Sequence, residues 1–191
     1  MVTPILGGHM KRVIDNFLRV VERAIYRESQ HKGENRVLQE ERFTGSEIKV
    51  LSINTEALDV EIKQSVDAEC VLSIETNDLR DRADDVSIEA KIAGNSIQVS
   101  SVERNFYGAK LMVLLPCHYD SVKVVAVDGD VAVSDCQIGQ VAIVTRSSDI
   151  TVKKIVCDEM NLASENGDVL IIDVNSKKQI CAKSVTGDVV Q

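Results

Sequence analysis

The chain has no tryptophan, and phenylalanine and tyrosine together supply only 3% of its 191 residues. A sugar-cleaving groove would need aromatic platforms, so this poverty counts against one. Proline is nearly absent: Pro4 and Pro116 are the two, so few strand hydrogen bonds are lost to it. No apolar run approaches the ~20 residues that cross a bilayer. Nor does the stretch from Met1 to Met10 carry the long apolar core of a secretory signal. Basic charge is short as well. The net charge is −8, with residues 1–45 at +2 (eight Lys/Arg against six Asp/Glu) and the remainder at −10. An acidic body excludes nucleic acid, which needs a basic footprint, and it disfavours direct docking on an anionic bilayer. The five cysteines, Cys70, Cys117, Cys136, Cys157 and Cys181, show no C-x-x-C spacing. They read as free thiols in a reducing compartment rather than a disulfide frame or zinc site. There is no Walker loop, no Gly-x-Gly-x-x-Gly and no metalloprotease motif. No cofactor and no enzyme activity are expected, and the expected location is the cytoplasm.

What the chain does have is a repeat. Asp128-Gly129-Asp130-Val131, Ser147-Ser148-Asp149-Ile150, Asn166-Gly167-Asp168-Val169 and Thr186-Gly187-Asp188-Val189 place aspartates 19, 19 and 20 positions apart. A period near 20 marks stacked coils. The apolar columns follow it. Val131, Ile150, Val169 and Val189 come one position after each aspartate, and Val133, Val152 and Ile171 come three after. Val122, Val141, Met160 and Ile180 lie eight before, and Val124, Ile143, Leu162 and Ala182 six before. Alternate apolar positions are the period of a strand with one buried face. Each coil therefore reads as two short strands and two turns. Ala126, Thr145, Ser164 and Ser184 form a column of small residues ahead of the turn, where glycine at three of four positions suits a positive φ. The one extra residue falls in Asn175-Ser176-Lys177-Lys178-Gln179, a loop bulge. Met112 and Leu114 fit the columns of Val131 and Val133, one coil further back. Valine and isoleucine fill such a narrow interior without rings.

Upstream the pattern loosens. Gly7-Gly8-His9-Met10 looks like a processing junction. From about 11 to 29, Ile14, Phe17, Val21 and Ile25 share a helical face, widened by Val13, Leu18 and Ala24. The spacing predicts an amphipathic helix that packs on the β-body or pairs with its copy. Five Lys/Arg against three acids leave membrane contact to this helix alone. Residues 31–46 read as a polar linker, and residues 47–110 as irregular strands and hairpins covering one end of the stack. Ala93-Gly94-Asn95 is a hairpin turn. Leu58-Asp59-Val60 echoes the Gly-Asp-Val string. Residues 77–85 form a charged, exposed connection.

Three places could carry chemistry. Coils lie ~4.8 Å apart, so Asp130, Asp149, Asp168 and Asp188 would form a carboxylate ladder. Neighbours there repel by about 1 kcal/mol in water, which calcium could relieve. The plainer reading has each aspartate accept a hydrogen bond from its own turn. Cys117 and His118 are adjacent, but neighbouring strand residues point to opposite faces, so no dyad is expected. Phe106 and Tyr107 offer a small aromatic patch or a plug over the stack. The interaction residues expected are the helix face (Ile14, Phe17, Val21, Ile25) and Val189 and Val190, which begin a coil that the sequence leaves incomplete. Unless the helix covers it, such a rung exposes unpaired backbone and apolar side chains, so the edge is expected to be covered by the helix of residues 11–29 or by another subunit or protein partner.

The chain resembles the bacterial toastrack family, named for adhesins and a domain of unknown function. The resemblance rests on the [Ser/Asn/Thr]-[Gly/Ser]-Asp-[Val/Ile] turns. It is supported by Leu114-Leu115-Pro116 before Tyr119-Asp120-Ser121-Val122-Lys123-Val124 and by the Ile92–Ile97 hairpin, and it covers roughly residues 46–191. It implies a fold resembling a right-handed parallel β-helix and no assigned catalysis, with relatives often encoded beside or fused to sensors of envelope stress. The fold class expected is therefore mainly β: a single-stranded β-solenoid with coils of about 20 residues, plus an N-terminal α-helix. The function expected is a non-enzymatic scaffold. A polysaccharide- or calcium-binding module on the solenoid face is the alternative.

Overall fold

A computed structural model describes residues 35–44, 48–67, 69–82, 84–116 and 118–191. Among these residues the chain forms fourteen strands and no helix. The predicted helix, and with it Ile14, Phe17, Val21 and Ile25, lies outside the described residues.

The regular half behaves as its columns demand. β8 (Tyr119–Ala126), β9 (Val131–Thr145) and β10 (Ile150–Ser164) run parallel, with Val122 level with Val141, Val141 with Met160, and Val131 with Ile150. β9 and β10 are each 15 residues long because the strand continues through a corner instead of breaking. The corner is made by Asp135 and Lys154, with backbone φ of 54° and 53°, and Asp173 repeats it at 52°. These three residues are 19 apart and take the left-handed conformation that side chains disfavour. The next coil contains β11 (Val169–Ile172), the two-residue β12 (Asn175–Ser176), β13 (Ile180–Ser184) and β14 (Val189–Val190). Cys157 pairs with Ser176 but Met160 with Ile180, so the extra residue is absorbed between Ser176 and Ile180.

The expected solenoid with an N-terminal helix requires correction. Chain order is not rung order, and not every strand is parallel. β2 (Val50–Thr55) and β3 (Asp59–Gln64) form a rung that sits inside the stack. β2 lies between β8 and β6 (Ser96–Glu103), and β3 lies between β9 and β7 (Lys110–Leu115). Consecutive rungs β6–β7 and β8–β9 are thus separated in space by an earlier one. The link from Leu115 to Tyr119 must step across two rung spacings, about 9.6 Å. Four residue steps of extended chain reach ~13 Å, which suffices. Because β3 intervenes, the inward residues of β7 are Leu111 and Val113, level with Val60 and Ile62. Met112 and Leu114, expected in those columns, face outward.

Three antiparallel pairings finish the other end. β4 (Glu69–Thr76) lies against β7, β1 (Arg36–Thr44) against β4, and β5 (Val86–Ala93) against β6. β1 occupies residues expected in a polar linker. The side-chain amide of Gln39 on β1 joins it to β5: Nε2 donates to the Ile88 carbonyl at 2.9 Å, and Oε1 accepts the Ile88 N–H at 2.8 Å. One glutamine thereby stands in for a pair of ladder bonds. Inside the stack, Leu51, Ile53, Val60, Ile62, Val124, Val133, Ile143 and Val152 belong to one fully buried core cluster. Each such aliphatic side chain contributes ~1.5–3 kcal/mol by leaving water, and the parallel register repeats that gain at every rung.

Candidate functional site

The four expected aspartates do come together, joined by a fifth. Asp59 Oδ1 accepts the backbone N–H of Asp130 at 2.9 Å, and Asp130 Oδ1 that of Asp149 at 3.0 Å. Asp149 Oδ1 accepts from Asp168 at 2.8 Å, and Asp168 Oδ1 from Asp188 at 2.9 Å. Four of the five carboxylates, those of Asp59, Asp130, Asp149 and Asp168, thus bond the N–H of the next rung's turn, where the expectation was a bond from the aspartate's own turn. A negative group facing an amide N–H is stabilised where bare stacked carboxylates would repel. One oxygen of Asp59, Asp130, Asp149 and Asp168 is therefore committed to the backbone. Among the described residues, no three His, Cys, Asp or Glu side chains are placed to hold a metal ion.

The glycines of the turns serve a purpose other than the expected one. Among the described glycines only Gly94, in the β5–β6 hairpin, has a left-handed φ, at 61°. A Cβ on Gly129 would meet the Leu58 carbonyl oxygen at 2.2 Å, one on Gly167 the Ser148 oxygen at 1.9 Å, and one on Gly187 the Gly167 oxygen at 2.2 Å. Glycine is needed because one rung's turn rests on the carbonyl of the rung before. The small-residue column completes the turn. Ser164 Oγ accepts the Gly167 N–H at 2.8 Å and donates to the Ser148 carbonyl at 3.0 Å. Ser184 repeats the arrangement with the Gly187 N–H (2.9 Å) and the Gly167 carbonyl (2.7 Å). Aspartate, glycine and serine columns together tie each of these turns to the next.

The last described rung is different. β13 pairs with β10 alone, and β14 with β11 alone, so each presents an outer edge with no strand beside it among the described residues. Val189, expected as an interaction residue, is 41% exposed, and Val190 beside it is half-buried. Ile180 and Ala182, which continue the core columns, are only partly buried, while Cys181 and Lys183 are exposed. The rung thus combines, among the described residues, an outer backbone edge with apolar side chains that are less buried than those of the rungs beneath.

Other candidates separate. Tyr107 is 58% exposed with the Arg80 guanidinium 3.8 Å over its ring, whereas Phe106 packs against the core. Arg80 also grips Asp78, and these bonds pull the Asp78 carboxyl down to about 2. The patch is pinned from below by Asp81, a residue that sequence reasoning places in an exposed loop. Its side chain is fully buried and accepts from Thr76 Oγ1 and from the N–H groups of Tyr107 (2.6 Å) and Gly108 (3.1 Å). Cys117 lies outside the described residues; His118 Nε2 stands 4.0 Å from Asp120 Oδ1. Cys70, Cys136 and Cys157 are buried. Burial first, and Asp135 second, push the Cys136 thiol up to about 12, where it is inert.

The family model for Toastrack DUF4097 covers residues 48–190, the span from the first inserted rung to β14. The chain belongs to the toastrack family. No curated protein matches it. Among solved structures, it is similar to a candidate cell adhesion protein of Clostridium sporogenes at 7% identity, covering 81% of this chain and 98% of that one with a TM-score of 0.45. It is also similar to a candidate adhesin of Parabacteroides distasonis at 14% identity (83% and 73% covered, TM-score 0.43). One of Bacteroides fragilis is 12% identical (81% and 97% covered, TM-score 0.39). The toastrack is thus a β-domain of unknown function.

Proposed function

We propose that this toastrack chain is a non-enzymatic protein-interaction scaffold whose docking site is the outer edge of the β13–β14 rung. The observation that carries the reading is one-sided pairing: among the described residues both strands bond a neighbour on one flank only, with Val189 exposed and Ile180 and Ala182 partly buried alongside. Unpaired strand edges recruit strands. The tie to envelope-stress signalling that the family resemblance implies belongs to the same proposal, since a docking module is what such a pathway would draw from this fold. The ligand-binding alternative is less favoured because one oxygen of each of Asp59, Asp130, Asp149 and Asp168 already accepts a backbone N–H.

Light scattering combined with amide exchange tests the site. Association, with itself or with an added strand peptide, should slow exchange at residues 180–190. Protection confined to any other surface would overturn the assignment.

A further inference from the structure

Asn166 is the one asparagine in the sequence that precedes a glycine. That pair has a chemistry of its own. Glycine carries no side chain to shield its backbone nitrogen, so the nitrogen can reach the side-chain carbonyl carbon of the asparagine before it. Asp128-Gly129, the matching pair two rungs earlier, has no amide and cannot lose ammonia.

The folded turn holds every atom that this reaction would have to move. Asn166 is exposed, yet its Nδ2 donates to the Arg146 carbonyl at 3.2 Å and its Oδ1 accepts from Thr186 Oγ1 at 3.1 Å. Gly167 is buried, and its N–H donates to Ser164 Oγ at 2.8 Å. The Gly167 carbonyl accepts from Ser184 Oγ at 2.7 Å. On the opposite flank the Ser148 carbonyl oxygen would stand 1.9 Å from a Cβ on Gly167, so the backbone has no room to swing that way. Before it can attack, the Gly167 nitrogen must leave Ser164 and lose its proton, which a buried, bonded N–H does only when the turn opens. Thr186 and Ser184 come from the following rung, so each contact they make helps to keep this turn shut.

We propose that Asn166-Gly167 is a spontaneous modification site, silent in the stacked fold, at which deamidation records opening of the 164–168 turn. In the open turn the Gly167 nitrogen gives its proton to solvent base and bonds to Asn166 Cγ. The Cγ–Nδ2 bond then breaks, and the nitrogen takes up a proton from solvent and leaves as ammonia. Water opens the cyclic imide at either carbonyl, giving aspartate or isoaspartate, and no oxidant or reductant is involved. Isoaspartate routes the backbone through Cβ and Cγ and so lengthens it by one atom. That atom falls between the Asn166 N–H, which donates to Arg146 at 2.9 Å, and the Asp168 N–H, which donates to Asp149 at 2.8 Å. The isoaspartyl turn therefore cannot restack in register, and the modification makes a transient opening permanent.

Incubation of the full chain at mildly alkaline pH, followed by peptide mapping with fragmentation that distinguishes isoaspartate, tests the proposal. A free peptide of residues 160–172 gives the unrestrained rate. The parent chain should deamidate at Asn166 at least about tenfold more slowly, and should approach the peptide's rate in urea. Thr186→Val should speed the parent about three- to tenfold, the factor that one lost hydrogen bond represents. Ser164→Ala, which frees the attacking nitrogen, should speed it at least as much; if that variant fails to fold, Thr186→Val decides, because residue 186 is exposed. Asn166→Gln should abolish the reaction, since its longer side chain closes a larger ring. Equal rates in the parent and the peptide would overturn the protection by the fold. No reaction at Asn166 even in urea would overturn the site. An unchanged rate in Thr186→Val would overturn the role of the following rung. The isoaspartyl fraction should lose amide protection at 164–190, and exchange equal to that of the unmodified chain would refute the failure to restack.

Discussion

Gly167 rests so closely on Ser148 that a Cβ added to it would stand 1.9 Å from the Ser148 carbonyl oxygen. That approach sets the stacking of two rungs, and it involves backbone on one side, so no side-chain rotation relieves it. Gly167→Ala should therefore destabilise the fold by on the order of 3 kcal/mol. Gly94 is the contrast: its φ is left-handed but nothing lies within 4 Å of a Cβ there. Gly94→Ala should cost only about 1 kcal/mol, and Gly94→Asn less. Urea midpoints of the three variants check the difference.

The aspartate ladder yields a distinction between shape and charge. Asp149 holds the Asp168 N–H through a single oxygen. Asp149→Asn keeps an acceptor there and should cost under about 1 kcal/mol, whereas Asp149→Ala strands a part-buried donor and should cost roughly 1–3 kcal/mol. Added calcium should move the melting temperature of neither the parent nor the asparagine variant. A calcium-dependent rise in the parent would restore the ligand-binding reading.

The ladder also shows what is legible in the sequence. The columns reveal the coils because a rung repeats every apolar position at one spacing: Val131, Ile150 and Val169 sit level. The reasons behind the turns are not legible. A carboxylate bonding its own turn and one bonding the next rung's turn leave the same aspartate in the sequence. Glycine for positive φ and glycine for close approach are likewise indistinguishable. The insertion of β2–β3 between later rungs is hidden because periodicity records spacing along the chain and not the order of stacking. Spacing alone puts Met112 in the column of Val131 for that reason; the true neighbour is β3, which shifts the inward residue to Leu111. In the last described rung, Val189 and Val190 are placed by the repeat itself, whereas the pairing of Lys177 with Asp158 and of Lys178 with Glu159 needs the register. Asp81 carries no signal, since three donors from Thr76, Tyr107 and Gly108 meet it only after folding.

Corners made of Asp135, Lys154 and Asp173 invite improvement. Each holds a non-glycine residue in the left-handed region, where glycine carries no steric penalty. Lys154→Gly and Asp173→Gly should each raise stability by up to about 1 kcal/mol, the gain limited by the freer unfolded chain. The first variant also removes the Lys154–Asp135 ion pair, which is exposed and 3.6 Å long, so that removal subtracts little. Lys154→Val should be destabilising, because a β-branched side chain resists this conformation. Thermal melts of the three variants decide it.

Acid should loosen the join between β7 and β3. Glu61 lies between Lys110 and Lys63, bonded to both. Burial pushes its carboxyl up, but the two lysines together outweigh burial and hold it below the ordinary range. A carboxylate depressed in the folded state stabilises fully above the unfolded value and loses that contribution as pH falls through the folded one. Glu61→Gln should therefore be less stable than the parent at neutral pH by about 1 kcal/mol. The gap should close as pH falls below about 4. Urea midpoints against pH for both proteins give the comparison, and a gap that persists at low pH would mean packing rather than charge.

Asp81 should be the costliest carboxylate to alter. It is fully buried and meets donors only: the Thr76 hydroxyl and the N–H groups of Tyr107 and Gly108, while its own carbonyl accepts from Arg36 at 2.6 Å. Asp81→Asn keeps the shape but turns an NH₂ group toward a donor, so an amide cannot satisfy the site. Asp81→Ala removes the side-chain acceptor of the Tyr107 and Gly108 N–H groups and leaves the Thr76 hydroxyl only its 3.5 Å contact with the Asp78 carbonyl. Both should destabilise by roughly 2–4 kcal/mol, with the alanine variant the worse. The loss should be local first. The loop 77–85 is tied to 104–109 through this side chain, so Tyr107 should leave the Arg80 guanidinium before the rungs melt. Tyrosine fluorescence and amide exchange at 104–109 should therefore change in Asp81→Asn at urea concentrations where exchange in β9 and β10 is still slow. Simultaneous loss at both places would show that Asp81 holds the whole stack rather than its corner.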